Sequence, residues 1–237
     1  MATAISAIKG RRIGLLGGTF DPVHNGHLAA ARAVRTQLGL DAVLLLPAAI
    51  PPHKSSGRIS SFTRRASMLE MAVAAEPGIF VCLVEQERGG PSYTIDTLIY
   101  LRKKLPAPRF YFIIGADVFA EIHTWKDYDD LPWQAHLVIL NRPGWAAANA
   151  ELMASYFPAF AYDQSAMVWQ AEASPGKFYF LDMPPLDISS SRLRRKIAAG
   201  LDVNAYVPPA VADYISRHGL YGIRNQESGI RNQVTGA

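Results

Sequence analysis

An apolar run, Ile13-Gly14-Leu15-Leu16, passes directly into Gly17-Gly18-Thr19-Phe20-Asp21-Pro22-Val23-His24-Asn25-Gly26-His27 and then into a helix-like stretch, Leu28 to Leu38. Strand, glycine turn and helix follow each other in the order that α/β proteins use to bind phosphate. Gly17 and Gly18 let backbone N–H groups approach an anion without an intervening Cβ, and the helix behind them aims its partly positive N-terminus at the same spot. With Thr19 and Phe20 they make up the candidate phosphate loop. If the helix begins near Asn25, His24 and His27, three apart across Gly26, both face the ligand from its first turn. There is no GxGxxG and no P-loop lysine, which disfavours a generic dinucleotide or P-loop site. Taken singly, the glycines are a strand-end turn and each histidine an ordinary surface or core residue; taken together they are hard to explain as packing. A protein-held metal is not expected, because the one cysteine, Cys82, lies in an apolar run and no HExxH occurs.

Further along, short β-like runs alternate with helical patterns. Strands are expected at Ile13 to Leu16, Ala42 to Pro47, Ile79 to Val84, Phe110 to Gly115, His136 to Leu140 and Phe178 to Leu181, and helices at Leu28 to Leu38, Phe62 to Ala75 and Tyr93 to Leu105. Most of the strands are apolar throughout, as a parallel sheet covered on both faces requires. The expectation is a doubly wound, Rossmann-like α/β fold with a mainly parallel sheet and helices on both faces, its ligand lying beyond the strand C-termini at the switch point. Residues 12–221 are expected to form one domain, with an extension before it. Gly222-Ile223-Arg224-Asn225-Gln226 recurs as Gly229-Ile230-Arg231-Asn232-Gln233, two copies too short to build a core, so 222–237 is expected to be a disordered tail.

A chain of 237 residues that is 49% hydrophobic and 19% charged has the composition of a soluble globular protein. No apolar run approaches membrane-spanning length, the N-terminus has the reverse of a signal peptide's charge order, and a single cysteine fits a reducing compartment; a cytoplasmic location is expected. The net charge of +4 is small. Its densest cluster, Arg192 to Lys196, lacks interleaved aromatics, so small anionic ligands are expected and nucleic acid and membrane are not. The oligomeric state is left open.

Ile188-Ser189-Ser190-Ser191-Arg192-Leu193-Arg194 is the second informative stretch. A serine there is a good N-cap for a helix running through Lys196-Ile197 to Gly200, which creates a second helix N-terminus for an anion, with Ser190, Ser191 and Arg194 at its first turns. The bland reading is a capped surface helix with a solvated basic face.

GGTFDPVHNGH with ISSSRLR resembles the paired signature of the nucleotidyltransferase superfamily, usually written (T/H)xGH and ISSTxxR. Pro51-Pro52-His53-Lys54, Pro91-Ser92-Tyr93-Thr94, Ile113-Ile114-Gly115-Ala116-Asp117, Thr124-Trp125, Asn141-Arg142-Pro143-Gly144 and His218-Gly219-Leu220-Tyr221 resemble, more narrowly, the bacterial nicotinate-nucleotide adenylyltransferases. Ser191 stands where the signature has threonine, and the hydroxyl survives. The resemblance implies transfer of AMP from ATP to nicotinate mononucleotide, with Mg²⁺ carried by the nucleotide. It implies that His24 and His27 stabilise the transition state, and that Ser190, Ser191 and Arg194 grip the β,γ-phosphates, with Lys54 reaching in. It also implies that Tyr93-Thr94 meets the acceptor's carboxylate end, and that Trp125 stacks on the pyridine ring or else packs its own loop. Asp117 is expected near the nucleotide, and Asp21 is expected either to cap or to order its loop and is left outside the catalytic set. Both signature motifs would equally serve a relative acting on nicotinamide mononucleotide, phosphopantetheine or another phosphate acceptor, and a non-catalytic nucleotide sensor remains a second alternative.

Overall fold

The six apolar runs lie side by side. β1 (Arg12–Gly18), β2 (Ala42–Pro47), β3 (Ile79–Val81), β4 (Arg109–Gly115), β5 (His136–Asn141) and β8 (Lys177–Asp182) pair only in parallel with one another, while β6 (Ala161–Asp163) and β7 (Val168–Gln170) add an antiparallel hairpin. The computed structural model describes residues 12–52, 59–105, 109–141, 146–184 and 188–222, and among these the eight strands form one sheet in the order β3-β2-β1-β4-β5-β8-β7-β6. The order reverses between β1 and β4, and the glycine loop leaves the C-terminal end of β1, so the loop sits at the switch point of a doubly wound sheet.

Alternate residues of the central strands face opposite ways, into two cores. Leu16, Val43 and Leu45 pack with α1 (Asn25–Gln37), α2 (Phe62–Val73), α8 (Ser190–Ala198) and α9 (Pro209–Arg217). Ile13, Leu15, Leu44 and Leu46 pack with α3 (Val84–Arg88), α4 (Thr94–Lys104), α5 (Ala116–Phe119), α6 (Leu131–Gln134) and α7 (Ala146–Tyr156). The fold is therefore the expected α/β sheet with helices on both faces.

One run was read too long. The strand expected to reach Val84 ends at Val81, and Val84 opens a short helix from which its side chain is fully buried. A short apolar run in a buried helix has the same hydrophobic pattern as the end of a buried strand, and periodicity does not separate them. The hairpin, α7 and α9 were not anticipated. The N-terminal extension, Lys54, Arg142-Pro143-Gly144 and the tail from 223 onward lie outside the described residues.

Arg65 ties the loops above the sheet. It occupies the apolar stripe of α2 with Met68, Leu69 and Ala72, and is only 2% exposed. Its guanidinium donates to the carbonyls of Thr19 (2.8 Å), Ala48 (2.8 Å) and Ser60 (3.0 Å), which belong to three different segments around the ends of β1 and β2. Replacing Arg65 by Met leaves these three carbonyls without their donor, and is expected to cost roughly 3 kcal/mol. Urea denaturation of Arg65→Met checks this; a midpoint equal to the parent's would show that the guanidinium does not hold the loops.

Candidate active site

His24 is the N-cap of α1, and its extended backbone (φ −146°, ψ 167°) turns the chain into the helix at Asn25. From that position its ring stacks on His27, with centroids 3.6 Å apart and planes inclined by 20°. Phe20, buried and held at φ 50°, also meets His27 in an edge-on arrangement, with ring centroids 4.8 Å apart. The His24 N–H donates to His27 Nδ1 at 3.2 Å, so the neutral His27 ring carries its proton on Nε2. Among the described residues, His24 Nδ1, at the wall of the cleft, is buried without a hydrogen-bond partner. An unpaired buried nitrogen costs about 1–3 kcal/mol unless something pairs it.

Burial lowers the His24 pKa from the ordinary 6.5 to about 4. Burial also lowers that of His27, and the neighbouring His24 adds to the effect. Both rings are neutral near pH 7, which makes them hydrogen-bonding groups rather than cations.

The second motif docks on the first. Ser189 caps α8, its hydroxyl accepting from the Arg192 N–H at 3.3 Å, as the serine run suggested. The Ser190 hydroxyl donates to the Pro22 carbonyl (2.8 Å), and Arg194 donates to the Asp21 carbonyl (2.6 Å) and to the Ser191 hydroxyl (3.3 Å). Gly26 makes the approach possible: a Cβ there would stand 2.6 Å from Ile188 Cγ2 and 3.0 Å from His24 Nδ1. Two helix N-termini thus converge on one place.

Asp21 holds this junction from beneath. Its buried carboxylate accepts from the Tyr221 hydroxyl (2.6 Å) and the Ser60 N–H (3.2 Å), and burial followed by the Asp21 hydrogen bond pushes the Tyr221 phenol up. From the sequence Asp21 could either cap the helix or order its loop; the N-cap of α1 is His24, and the Asp21 contacts run to Ser60 and Tyr221. Sequence reading missed Arg65, although a cation in the apolar stripe of an amphipathic helix was a visible signal. It missed Glu85 as well: buried in α3, Glu85 accepts from the Thr97 hydroxyl (3.0 Å) and the Ala49 N–H (3.3 Å), bracing the proline-rich loop against α4. Cys82 is buried and burial pushes its thiol up to about 11, which leaves it unreactive.

Gly17, Gly18, Thr19, Phe20, His24 and His27 line one wall of a cleft of about 1340 Å³, and Ser190, Ser191 and Arg194 continue it. Tyr93, Thr94, Asp117 and Trp125 line the same cleft. Tyr93 is the N-cap of α4 and Thr94 its first residue, and among the described residues no side chain caps that helix. Trp125 is half-buried, its ring T-shaped to that of Phe112 with centroids 6.2 Å apart, and it also lines the cleft. Asp117 follows β4 in the first turn of α5. Except for Lys54, which is not described, the residues singled out from the sequence all meet in one cavity.

The cytidylyltransferase-like family matches residues 15–196. A protein of Aeromonas hydrophila named "Probable nicotinate-nucleotide adenylyltransferase" is 42% identical over 88% of this chain and 96% of its own length. One of the same name from Lactiplantibacillus plantarum is 37% identical over 93% of each. Among solved structures, Plasmodium falciparum nicotinic acid mononucleotide adenylyltransferase complexed with NaAD superposes with a TM-score of 0.67 at 22% identity, covering 89% of this chain and 97% of that one. The complex of the same enzyme with APC gives 0.65 at 21% identity over the same shares.

The buried imidazoles have a consequence for stability. Their folded-state pKa values lie below 6.5, so between about 4 and 6.5 the unfolded chain binds more protons, and stability present above that window is lost as pH falls through it. His24 alone contributes roughly 3 kcal/mol to this loss. Urea titrations from pH 7 to 4.5 should show the parent losing stability more steeply than His24→Gln; parallel curves would refute the buried neutral ring.

Proposed function

The chain belongs to the nicotinate-nucleotide adenylyltransferases of the cytidylyltransferase-like family, and from that premise we propose that its cleft transfers AMP from ATP to nicotinate mononucleotide, releasing pyrophosphate and giving deamido-NAD. The observation that carries this reading is the convergence of three helix N-termini on one cavity. Those of α1 and α8 bear the histidine and serine-arginine groups, and that of α4 stands beside Trp125. We assign the reaction to the unit 12–221.

The acceptor phosphate attacks the α-phosphorus of ATP; a P–O bond forms there, and the bond to the β-phosphate breaks with its electrons on pyrophosphate. A phosphate monoester has a second pKa near 6 and is largely dianionic at neutral pH, so no general base is needed. The protein holds two anions in line and stabilises charge that grows during transfer. We assign the backbone from Gly17 to Phe20 and the helix dipole of α1 to the phosphates, with His27 offering its Nε2–H beside His24. Ser190, Ser191 and Arg194 hold the β,γ end, since Arg194 spends only part of its five-donor fork on Asp21 and Ser191. Lys54 is assigned to the same phosphates.

Mg²⁺, carried by the nucleotide and held through its phosphates, would supply further charge neutralisation there. The donors at that end of the cleft are N–H, O–H and imidazole groups, which suit phosphate oxygens, and among the described residues no three His, Cys, Asp or Glu side chains gather as a cage. At the other end, the uncapped N-terminus of α4 suits a carboxylate and the indole of Trp125 suits a flat ring. Asp117, which lines the same cleft, is assigned to the nucleotide. Among the described residues no helix is long and apolar enough to cross a membrane.

Pyrophosphate release with ATP and Mg²⁺ should be strong with nicotinate mononucleotide and weak with nicotinamide mononucleotide or phosphopantetheine. Preference for another acceptor would overturn the acceptor pocket, and ATP binding without turnover would favour a sensor. His27→Ala should lower kcat by about 10²–10³ with folding intact; near-normal kcat would remove His27 from the transition-state role.

A further inference from the structure

Lys126 follows Trp125 directly and also lines the cleft. Its ammonium lies 2.8 Å from Asp96 Oδ1 and 5.4 Å from the centroid of the Tyr93 ring. Asp96 is the acidic residue in the first turn of α4, the helix whose uncapped N-terminus faces the pocket. Two effects oppose each other at this helix end. Unsatisfied N–H groups and the dipole favour an incoming anion, whereas a fixed carboxylate in the same turn repels it. A carboxylate that binds here must meet Asp96 already cancelled, and Lys126 is the cation placed to cancel it.

We propose that the Lys126–Asp96 pair sets the charge preference of the acceptor pocket: Lys126 neutralises Asp96, which leaves the N-terminus of α4 free to accept the pyridine carboxylate in preference to a carboxamide. The inference rests on the reading that Tyr93, Thr94 and Trp125 hold the pyridine end of the acceptor. The hydrogen bond to Asp96 raises the Lys126 pKa, with smaller contributions from the charges of Asp96 and Asp127, so the ammonium stays charged throughout the neutral range. Side-chain exposures of 43% for Lys126 and 30% for Asp96 mean that solvent screens the pair, and its effect on a neighbouring charge is moderate and salt-dependent.

The test compares dissociation constants for nicotinate mononucleotide and nicotinamide mononucleotide, measured by calorimetry, together with KM for ATP. In Lys126→Met the uncovered Asp96 should weaken the nicotinate nucleotide by about three- to tenfold relative to the amide, with KM for ATP unchanged. In Asp96→Asn the uncompensated lysine should shift the ratio the opposite way. The double variant Lys126→Met, Asp96→Asn should return to within about twofold of the parent ratio, and raising the salt should shrink all the differences. Equal weakening of both nucleotides in Lys126→Met would mean that the lysine only positions its loop. A double variant as unselective as Lys126→Met would mean that Lys126 contacts the carboxylate itself. Either result overturns the proposal, and Asp96→Asn alone decides it if Lys126→Met does not fold. A parent that fails to turn over nicotinate mononucleotide would instead bring down the functional reading on which the proposal stands.

Discussion

The carbonyls of Thr19, Asp21 and Pro22 are the hub of the molecule. Each belongs to an irregular loop over the end of β1, where no ladder or helix can satisfy it, and each is taken by a donor from elsewhere in the chain: Arg65, Arg194 and Ser190 in turn. The Asp21 carboxylate gathers Tyr221 and the Ser60 N–H at the same point. Backbone carbonyls buried without partners would be costly, so the loop is stable only when α2, α8 and the chain near Tyr221 are all in place. The same requirement brings the Ser190 to Arg194 helix end against the histidine turn. Folding of the loop and assembly of the phosphate site are therefore one event.

This dependence explains which parts could be read from the sequence. Strands such as Ala42 to Pro47 and helix starts such as the serine cap of α8 are written in local pattern, and they appear where expected. The paired motifs were legible because their chemistry is local: glycines, imidazoles and hydroxyls at a strand-helix junction. Arg65 and Glu85 act across long stretches of chain. A charged residue in an apolar stripe does not reveal which carbonyl or N–H it will find. The docking of Gly26 on Ile188 and the Asp21–Tyr221 bond span most of the sequence and have no local trace. The β6–β7 hairpin has three-residue strands, too short to show alternation.

The two ends of the cleft use electrostatics differently. At the phosphate end, Arg194 is the charged member among the described residues assigned there, while the histidines are neutral and the remaining groups are backbone or hydroxyl donors. A second imidazolium stacked 3.6 Å from the first would be costly in a buried site, which is why burial and mutual proximity keep both rings uncharged. At the end assigned to the acceptor, the Lys126–Asp96 ion pair lies at the surface of α4, where solvent screens it, so any effect it has on a neighbouring charge is moderate.

Neutral, fixed donors suit adenylyl transfer better than added cations would. The substrates arrive with several negative charges, and a strongly cationic site would bind them tightly before any bond changes. Binding ground state and transition state alike does not speed the chemical step. In the role proposed for His27, an Nε2–H packed against Phe20 and His24 at the end of a helix dipole would gain most where charge increases during transfer. The stack therefore fixes both the direction of the donor and its protonation state, and the burial that costs the fold stability in acid is the same burial that keeps the donor neutral at the pH where the acceptor phosphate is a dianion.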